Sequence, residues 1–273
     1  ACLRKDDYQF STHRGHGHAI AKGLDLKKMA AEMLGKETGS SHGRGGSMHL
    51  IDTDKGMLGA APIVAETLML ALGAALAASI RKEDRVAVAF FGDGATGEGV
   101  LYESMNFAAL RNLPIIFACE NNYYSTHLPI RECRPAQDIY KIAEPFGIRS
   151  QAVDGNDVLA VHEAAKMAVE QCRRREGPVF IEFRTYRFRG HVGPDDNIQG
   201  SHTDIRPKLE ITDWLKRDPI ALFEQYLVEA VKMDASVLAQ IKTHAQQEVA
   251  AAILFARNSP RPAKEALMDY VYR

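Results

Sequence analysis

Short apolar runs alternate with stretches of helical periodicity along much of the chain. Each run is nearly continuous, which is typical of strands that are buried on both faces of a sheet. Helices are predicted between the runs at 98–110 and 157–174, the second with Asp157 as its N-cap. Strands separated by helices favour right-handed crossovers, and therefore an α/β fold with a mainly parallel sheet and helices on both faces. The predicted strands are 85–91, 114–119, 147–153 and 177–183.

Two further stretches are helical in pattern. The run 60–80 is the longest apolar stretch, but Glu66 interrupts it, and its many Ala and Gly residues favour a buried core helix. Because no stretch reaches the roughly 18 uncharged apolar residues of a membrane span, a membrane protein is not expected. From Pro219 to about Arg257 the pattern is helical and rich in charges. We expect residues 1–205 to form the sheet domain and 206–273 a helical C-terminal extension of it.

Composition and charge narrow the classes of partner. The 273 residues are 46% hydrophobic and 25% charged, with a formal net charge of −1. A near-neutral chain is not expected to bind nucleic acid, which favours a basic face. The start Ala1-Cys2-Leu3-Arg4 has no signal-peptide pattern, and the four cysteines form no CxxC pair. We therefore expect a reduced, cytoplasmic protein without a zinc or redox motif.

Polar residues follow two neighbouring predicted strands. Gly92-Asp93-Gly94 ends the first strand, and Asn121-Asn122 ends the second, at a spacing of 122 − 93 = 29 residues. Parallel α/β sheets bind ligands outside the carboxyl ends of their strands, so these side chains should share one edge. Carboxylate and amide oxygens suit Mg²⁺, which takes its other ligands from substrate phosphates. Alone, Gly-Asp-Gly is also a common turn, and the order of strand, motif, helix and strand favours the ligand site.

Histidines and glycines in the first fifty residues leave alternatives open. His13, His16 and His18 alternate in a predicted loop, where they could be polar loop residues or a metal cluster, although a flexible loop is a poor ligand frame. Residues 43–46 read Gly-Arg-Gly-Gly and could be a phosphate loop. They lack the GxxxxGK[ST] pattern, so nucleotide hydrolysis is unsupported, and a tight backbone path near the site is the alternative.

Five segments carry distinctive patterns: FSTHRGHG (10–17), GRGGSMH (43–49), FGDGA (91–95), CENN (119–122) and TYRFRGH (185–191). Together they resemble one family, the alpha subunits of the thiamine diphosphate-dependent dehydrogenase component of 2-oxo acid dehydrogenase complexes. This group includes pyruvate, branched-chain 2-oxo acid and acetoin dehydrogenases. The resemblance extends from about Leu3 to His191 and implies the thiamine diphosphate-binding fold.

The resemblance implies a metal and diphosphate site. Asp93 and Asn122 would bind Mg²⁺ through their side chains and Tyr124 through its backbone carbonyl. Gly94 and Ala95 would offer backbone contacts to the diphosphate.

Basic and apolar residues would complete the cofactor site. Arg14 would pair with the diphosphate, because a guanidinium fork suits phosphate oxygens. His13 stands where the family often has Tyr. Val64 would form an apolar wedge beneath the bent cofactor, with the Pro62 carbonyl nearby.

Two histidines carry the implied catalytic roles. His191 would reach the diphosphate and the reacting centre, and His16 would orient substrate or transfer protons. Mg²⁺ and diphosphate are expected to order the loop 186–207.

The resemblance also implies the reaction and the partners. A 2-oxo acid would be decarboxylated, or acetoin cleaved, with thiamine diphosphate as the electron sink. The acyl group would pass to a lipoyl group on an acyltransferase component. A separate beta subunit would complete the site in an α2β2 heterotetramer.

Two alternative functions stay open. One is a stand-alone thiamine diphosphate-dependent lyase or carboligase. The other is a non-catalytic alpha-like subunit, which Pro62 and Gly97 favour as departures from the family pattern, together with a start later than is usual for the family. Against it, Asp93, Asn122, Arg14 and His191 are all present.

Overall fold

The computed structural model describes residues 1–191 and 205–271. Its strands are β1 (Tyr8–Thr12), β2 (Met57–Ala61), β3 (Ala87–Gly92), β4 (Ile115–Asn121), β5 (Tyr124–Ser125), β6 (Leu128–Pro129), β7 (Arg149–Asp154) and β8 (Val179–Arg184). Its helices are α1 (His16–Lys22), α2 (Leu26–Met33), α3 (Glu66–Ile80), α4 (Gly99–Leu110), α5 (Ile130–Cys133), α6 (Val158–Arg173), α7 (Lys208–Leu215), α8 (Pro219–Glu229) and α9 (Ala235–Asn258). Short 3-10 turns lie at Thr53–Lys55, Asp93–Gly97, Ile139–Phe146 and Lys264–Met268.

Six strands form one sheet in the order β2-β1-β3-β4-β8-β7, and every neighbouring pair is parallel. Strands β5 and β6 form a separate antiparallel pair. Parallel neighbours need crossover connections, which the intervening helices supply. The predicted α/β class with a parallel sheet and a helical C-terminal part is therefore confirmed.

Alternation along the central strands gives the sheet two apolar faces. Phe91, Phe117 and Phe180 lie in one core with residues of α3 and α4. Val88 and Ile116 lie in the other core with residues of α6. Because successive strand residues point to opposite faces, both faces need helices to exclude water. The near-continuous apolar runs in the sequence reflect this double burial.

The four predicted strands and two predicted helices form within about two residues of their expected bounds. Asp157 caps α6, with its carboxylate accepting from the N–H groups of Leu159 and Ala160. The prediction of one helix over 60–80 was wrong at its start. Residues 60 and 61 end β2, and Ala65 takes a left-handed conformation with φ 66°, so α3 begins only at Glu66.

The C-terminal helices pack against the rest of the chain. Helix α9 packs against α2, and Ile211 of α7 is buried beside Tyr124 and Tyr186. Most other side chains of α8 and α9 are exposed. Within residues 1–191 and 205–271, no helix has the length and apolar character needed to cross a membrane.

Replacing each of two leucines on α4 by alanine tests this packing. Leu101 is fully buried, whereas Leu110 is 74% exposed. Leu101→Ala should lower the free energy of unfolding by about 2–5 kcal/mol, because it leaves a cavity between helix and sheet. Leu110→Ala should change it by less than about 0.5 kcal/mol. Urea unfolding followed by circular dichroism measures both, and equal losses would contradict the assigned core.

Candidate functional site

A cavity of about 400 Å³ opens at the carboxyl ends of the parallel strands. Its lining residues follow β1, β2, β3, β4 and β8, so five separate loops build it. In the order of the strands, β2 lies beside β1 on one side and β3 lies beside β1 on the other. The strand order therefore reverses direction at β1. This is the topological switch point at which α/β sheets bind ligands.

Asp93 is the buried acid of this cavity. Its side chain is 1% exposed, and its Oδ2 has no hydrogen-bond partner among the described residues. Burial raises the pKa of Asp93 to about 6, partly offset by backbone N–H groups and by the charge of Arg187. A buried carboxylate oxygen without a partner costs stability unless a cation pairs with it. The position therefore suits a metal ion.

Asn122 and Tyr124 offer oxygen atoms beside Asp93. Both line the cavity, and Asn122 Oδ1 accepts from the Tyr124 N–H at 3.2 Å. Asn121 turns away, because its Nδ2 donates to buried Glu182 at 2.8 Å. In the described part of the chain, no three His, Cys, Asp or Glu side chains are grouped to hold a metal. One carboxylate, one amide and one carbonyl oxygen suit Mg²⁺, which keeps water or phosphate ligands as well.

The turn after β3 brings backbone into the cavity. A Cβ on Gly94 would lie 2.5 Å from Ser125 Oγ and 3.0 Å from Ser125 Cβ, so a larger residue there would displace Ser125. Gly94 and Ala95 line the cavity, and α4 begins close behind them at Gly99. Backbone N–H groups near a helix N-terminus favour a negatively charged ligand.

Basic side chains face the acid across the cavity. Arg14, His13, Arg187 and His191 all line it, and the rings of His13 and His191 lie 5.3 Å apart. Burial, with the charges of Arg187 and Arg14, lowers the pKa of His191 to about 4. Burial and Arg14 also lower the pKa of His13. Both imidazoles are therefore neutral at pH 7, and the positive charge resides on the arginines.

The wall that follows β2 is apolar. Pro62, Ile63 and Val64 line the cavity, and Val64 is 55% exposed. The left-handed Ala65 turns the chain into α3 at this point. These exposed apolar side chains offer a surface to a ligand that is itself partly apolar.

The structure brings together all but one of the predicted site residues. The cavity lining includes His13, Arg14, Pro62, Val64, Asp93, Gly94, Ala95, Asn122, Tyr124 and His191. His16 does not line it: its Nε2 contacts the Ser47 carbonyl at 2.9 Å and Ser47 Oγ at 3.0 Å. The catalytic role of His16 stays a prediction. Most of the loop 186–207, whose ordering by Mg²⁺ and diphosphate was predicted, lies outside the described residues.

Sequence reasoning missed several lining residues. Glu98, Glu120 and Arg187 all reach the cavity. Glu120 directly precedes Asn121-Asn122, and Arg187 lies within the TYRFRGH segment, so their positions in these motifs were the available signal. His18 is on helix α1 rather than in a loop, and its Nε2 lies 3.0 Å from Glu120 Oε1. Burial opposes ionisation of Glu120, but His18 and Arg14 outweigh it and lower the pKa of Glu120.

Comparison with known proteins shows the family of this chain. The family described as "Dehydrogenase E1 component" matches residues 1–265. This chain belongs to the dehydrogenase E1 component family. Members of the family depend on thiamine diphosphate, and Mg²⁺ is their usual metal. The predicted resemblance and cofactors are thereby confirmed.

Three relatives illustrate the range of the family. The alpha subunit of acetoin:2,6-dichlorophenolindophenol oxidoreductase from Bacillus subtilis is 41% identical over 273 residues, which is all of this chain and 80% of that protein. The pyruvate dehydrogenase E1 alpha subunit of Porphyra purpurea is 38% identical, with 99% and 79% coverage. The chloroplastic E1 subunit alpha-3 of Arabidopsis thaliana is 38% identical, with 99% and 63% coverage. These alpha-subunit relatives imply a beta subunit as partner.

The buried acid should cost the metal-free protein stability. The folded-state pKa of Asp93 is about 6, against 3.8 for a solvated Asp. The native state therefore holds the proton more tightly, and stability falls as pH rises from about 4 to about 6. Above pH 7, Asp93→Asn should raise the free energy of unfolding by up to about 3 kcal/mol. Urea unfolding in EDTA tests this, with the exposed Asp54→Asn as control, and a less stable Asp93→Asn variant would contradict it.

His191 should remain neutral throughout the physiological range. Its pKa of about 4 means that the folded state resists protonation, so its contribution to stability falls as pH drops from about 6.5 towards 4. In histidine-selective NMR, the resonance that disappears in His191→Ala should not titrate above about pH 5. A midpoint above pH 6 would contradict this description of the cavity.

Proposed function

We propose that this chain supplies the metal- and diphosphate-binding half of a thiamine diphosphate-dependent 2-oxo acid or acetoin dehydrogenase. The observation that carries the proposal is the buried Oδ2 of Asp93. Within residues 1–191 and 205–271 it has no hydrogen-bond partner, and it shares a cavity with basic side chains at the switch point of the sheet. A divalent cation between Asp93 and a diphosphate would satisfy both groups.

The metal would be held by the side chains of Asp93 and Asn122 and by the backbone carbonyl of Tyr124. The diphosphate would lie on the N–H groups of Gly94 and Ala95. Arg14 would bind the diphosphate oxygens through its guanidinium fork, which matches phosphate geometry better than a lysine would. His13 would contact the same group as a neutral hydrogen-bond donor.

The apolar wall would position the rest of the cofactor. Val64 would offer an apolar wedge to the middle of the cofactor, with the Pro62 carbonyl nearby. When bound, thiamine diphosphate supplies the electron sink for cleavage of the bond beside the substrate carbonyl.

Proton handling would fall to His191 and His16. Because His191 is neutral at pH 7, it can donate one hydrogen bond and accept another at the reacting centre. His16 would orient substrate or transfer a proton. Since it lies outside the cavity lining, it would contact the substrate only in the complete site with the beta subunit.

The complete site would require a beta subunit, in a heterotetramer of two alpha and two beta chains. Exposed apolar side chains on α3, the helix that follows the Val64 wall in the chain, support a covering partner: Met69 is 47% exposed and Leu70 49%. The acyl group would then pass to a lipoyl group on an acyltransferase component. The substrate would be acetoin or a small 2-oxo acid, as the names of its relatives indicate for those proteins.

The proposal extends to organisation and location. Residues 206–273 would belong to the same domain as 1–205, since α9 packs on α2 and Ile211 on Tyr186.

All four cysteines are free, which favours a reducing, cytoplasmic location. Cell fractionation tests the location.

Turnover by the complex with its beta chain tests the proposal. Reduction of 2,6-dichlorophenolindophenol with acetoin or a 2-oxo acid should require both Mg²⁺ and thiamine diphosphate. Arg14→Met should raise the concentration of cofactor needed by about 10- to 100-fold, because a charged hydrogen bond to phosphate is lost. Arg81→Met, at an exposed helix end, is the matched control.

The same assay separates the alternatives. Activity that appears only as acyloin formation, with neither the dye nor a lipoyl domain accepting electrons, would favour a stand-alone lyase or carboligase. No cofactor-dependent turnover of any tested substrate, with equal behaviour of Arg14→Met and Arg81→Met, would favour a non-catalytic subunit.

A further inference from the structure

Glu32 belongs to helix α2, lies outside the cavity lining and is fully buried. It accepts four backbone hydrogen bonds from a single loop. Its Oε2 accepts from the N–H groups of Ser41 at 2.7 Å and Gly43 at 2.9 Å. Its Oε1 accepts from Gly45 at 2.7 Å and Gly46 at 3.2 Å. These four bonds match the roughly four lone-pair sites of a carboxylate, which offsets the cost of burying it.

The glycines of this loop are the residues that let it surround Glu32. A Cβ on Gly39 would lie 2.3 Å from Glu32 Oε2. A Cβ on Gly45 would lie 2.6 Å from the His49 carbonyl oxygen, and Gly43 has φ 73° and a similarly close backbone neighbour. The glycine-rich string is therefore not a vacant phosphate loop, because an internal carboxylate occupies its N–H groups.

The next residue of the loop, Ser47, contacts His16. Ser47 places its carbonyl oxygen 2.9 Å and its Oγ 3.0 Å from His16 Nε2. A carbonyl oxygen can only accept, so this contact requires the His16 proton on Nε2 and leaves Nδ1 as an acceptor in the neutral ring. His16 also begins α1, two residues after Arg14, which lines the cavity.

We infer that Glu32 is a positioning residue for the cofactor site: through the loop 41–47 it fixes Ser47, which orients His16 and selects its tautomer. This inference rests on the proposed function. The carboxylate acts as the internal anchor, the glycines allow the backbone to close around it, and Ser47 transmits the resulting position to α1.

Glu32→Gln tests this inference in the complex with the beta chain. The amide keeps the size of the side chain, but its NH₂ group faces N–H donors and leaves two of them unsatisfied. We expect kcat to fall by about 10- to 100-fold, because small displacements of positioned groups cost that much. Cleavage by trypsin after Arg44, within the loop, should become faster. The exposed Glu163→Gln on α6 is the matched control, expected to behave as wild type.

Coupling to His16 distinguishes positioning from a general loss of stability. If Glu32 acts through His16, then Glu32→Gln should lower kcat much less in a His16→Gln background than in wild type. Additive losses in this cycle would overturn the inference. Gly45→Ala, which leaves Glu32 intact but pushes the loop against His49, should reproduce the kcat loss and the trypsin sensitivity, and it serves if Glu32→Gln fails to fold.

Cofactor binding by the wild-type complex separates this inference from the proposed function. If wild type does not bind thiamine diphosphate with Mg²⁺, the proposed function fails. If wild type binds and turns over but Glu32→Gln and Gly45→Ala both match Glu163→Gln, the inference about Glu32 is overturned while the proposed function stands.

Discussion

The site depends on one buried charge, the carboxylate of Asp93. It lies at the end of a central strand, almost fully buried, with one oxygen that has no hydrogen-bond partner among the described residues. Such a group destabilises the protein alone, and its pKa near 6 expresses that cost. A bound cation would offset it, which couples the stability of this edge of the sheet to ligand binding.

The surrounding loops place backbone, amide and basic groups around the Asp93 carboxylate. Gly94 allows the backbone to approach Ser125, Asn121 is held away by Glu182 so that Asn122 can face the cavity, and Arg14 stands opposite. Neutral histidines beside the arginines keep hydrogen-bond donors and acceptors available without adding charge. The Glu32 loop belongs to the same system, since it supports the segment from which Arg14 and His16 project.

Sequence reasoning predicted the parts of the molecule whose signals are local. The four strands with continuous apolar runs formed as predicted, and the motif residues converged because parallel strands end at one edge. It missed β1 and β2. Strand β1 buries the polar residues Gln9 and Ser11, so it lacks the continuous apolar run by which the other strands were predicted. Strand β2 is rich in Gly and Ala, which are weak indicators of a strand. It also missed Glu120, Arg187 and the anchoring role of Glu32, because their contacts join residues far apart in sequence and no local pattern records them.

The role of Asp93 is tested by calorimetric titration of thiamine diphosphate into the complex of this chain with its beta subunit. The titration is made with and without Mg²⁺, for wild type and for Asp93→Ala. We expect binding by wild type only when Mg²⁺ is present, and loss of that binding in Asp93→Ala while the complex stays assembled. Equal binding by the two proteins, or no binding by the assembled wild type, would contradict it.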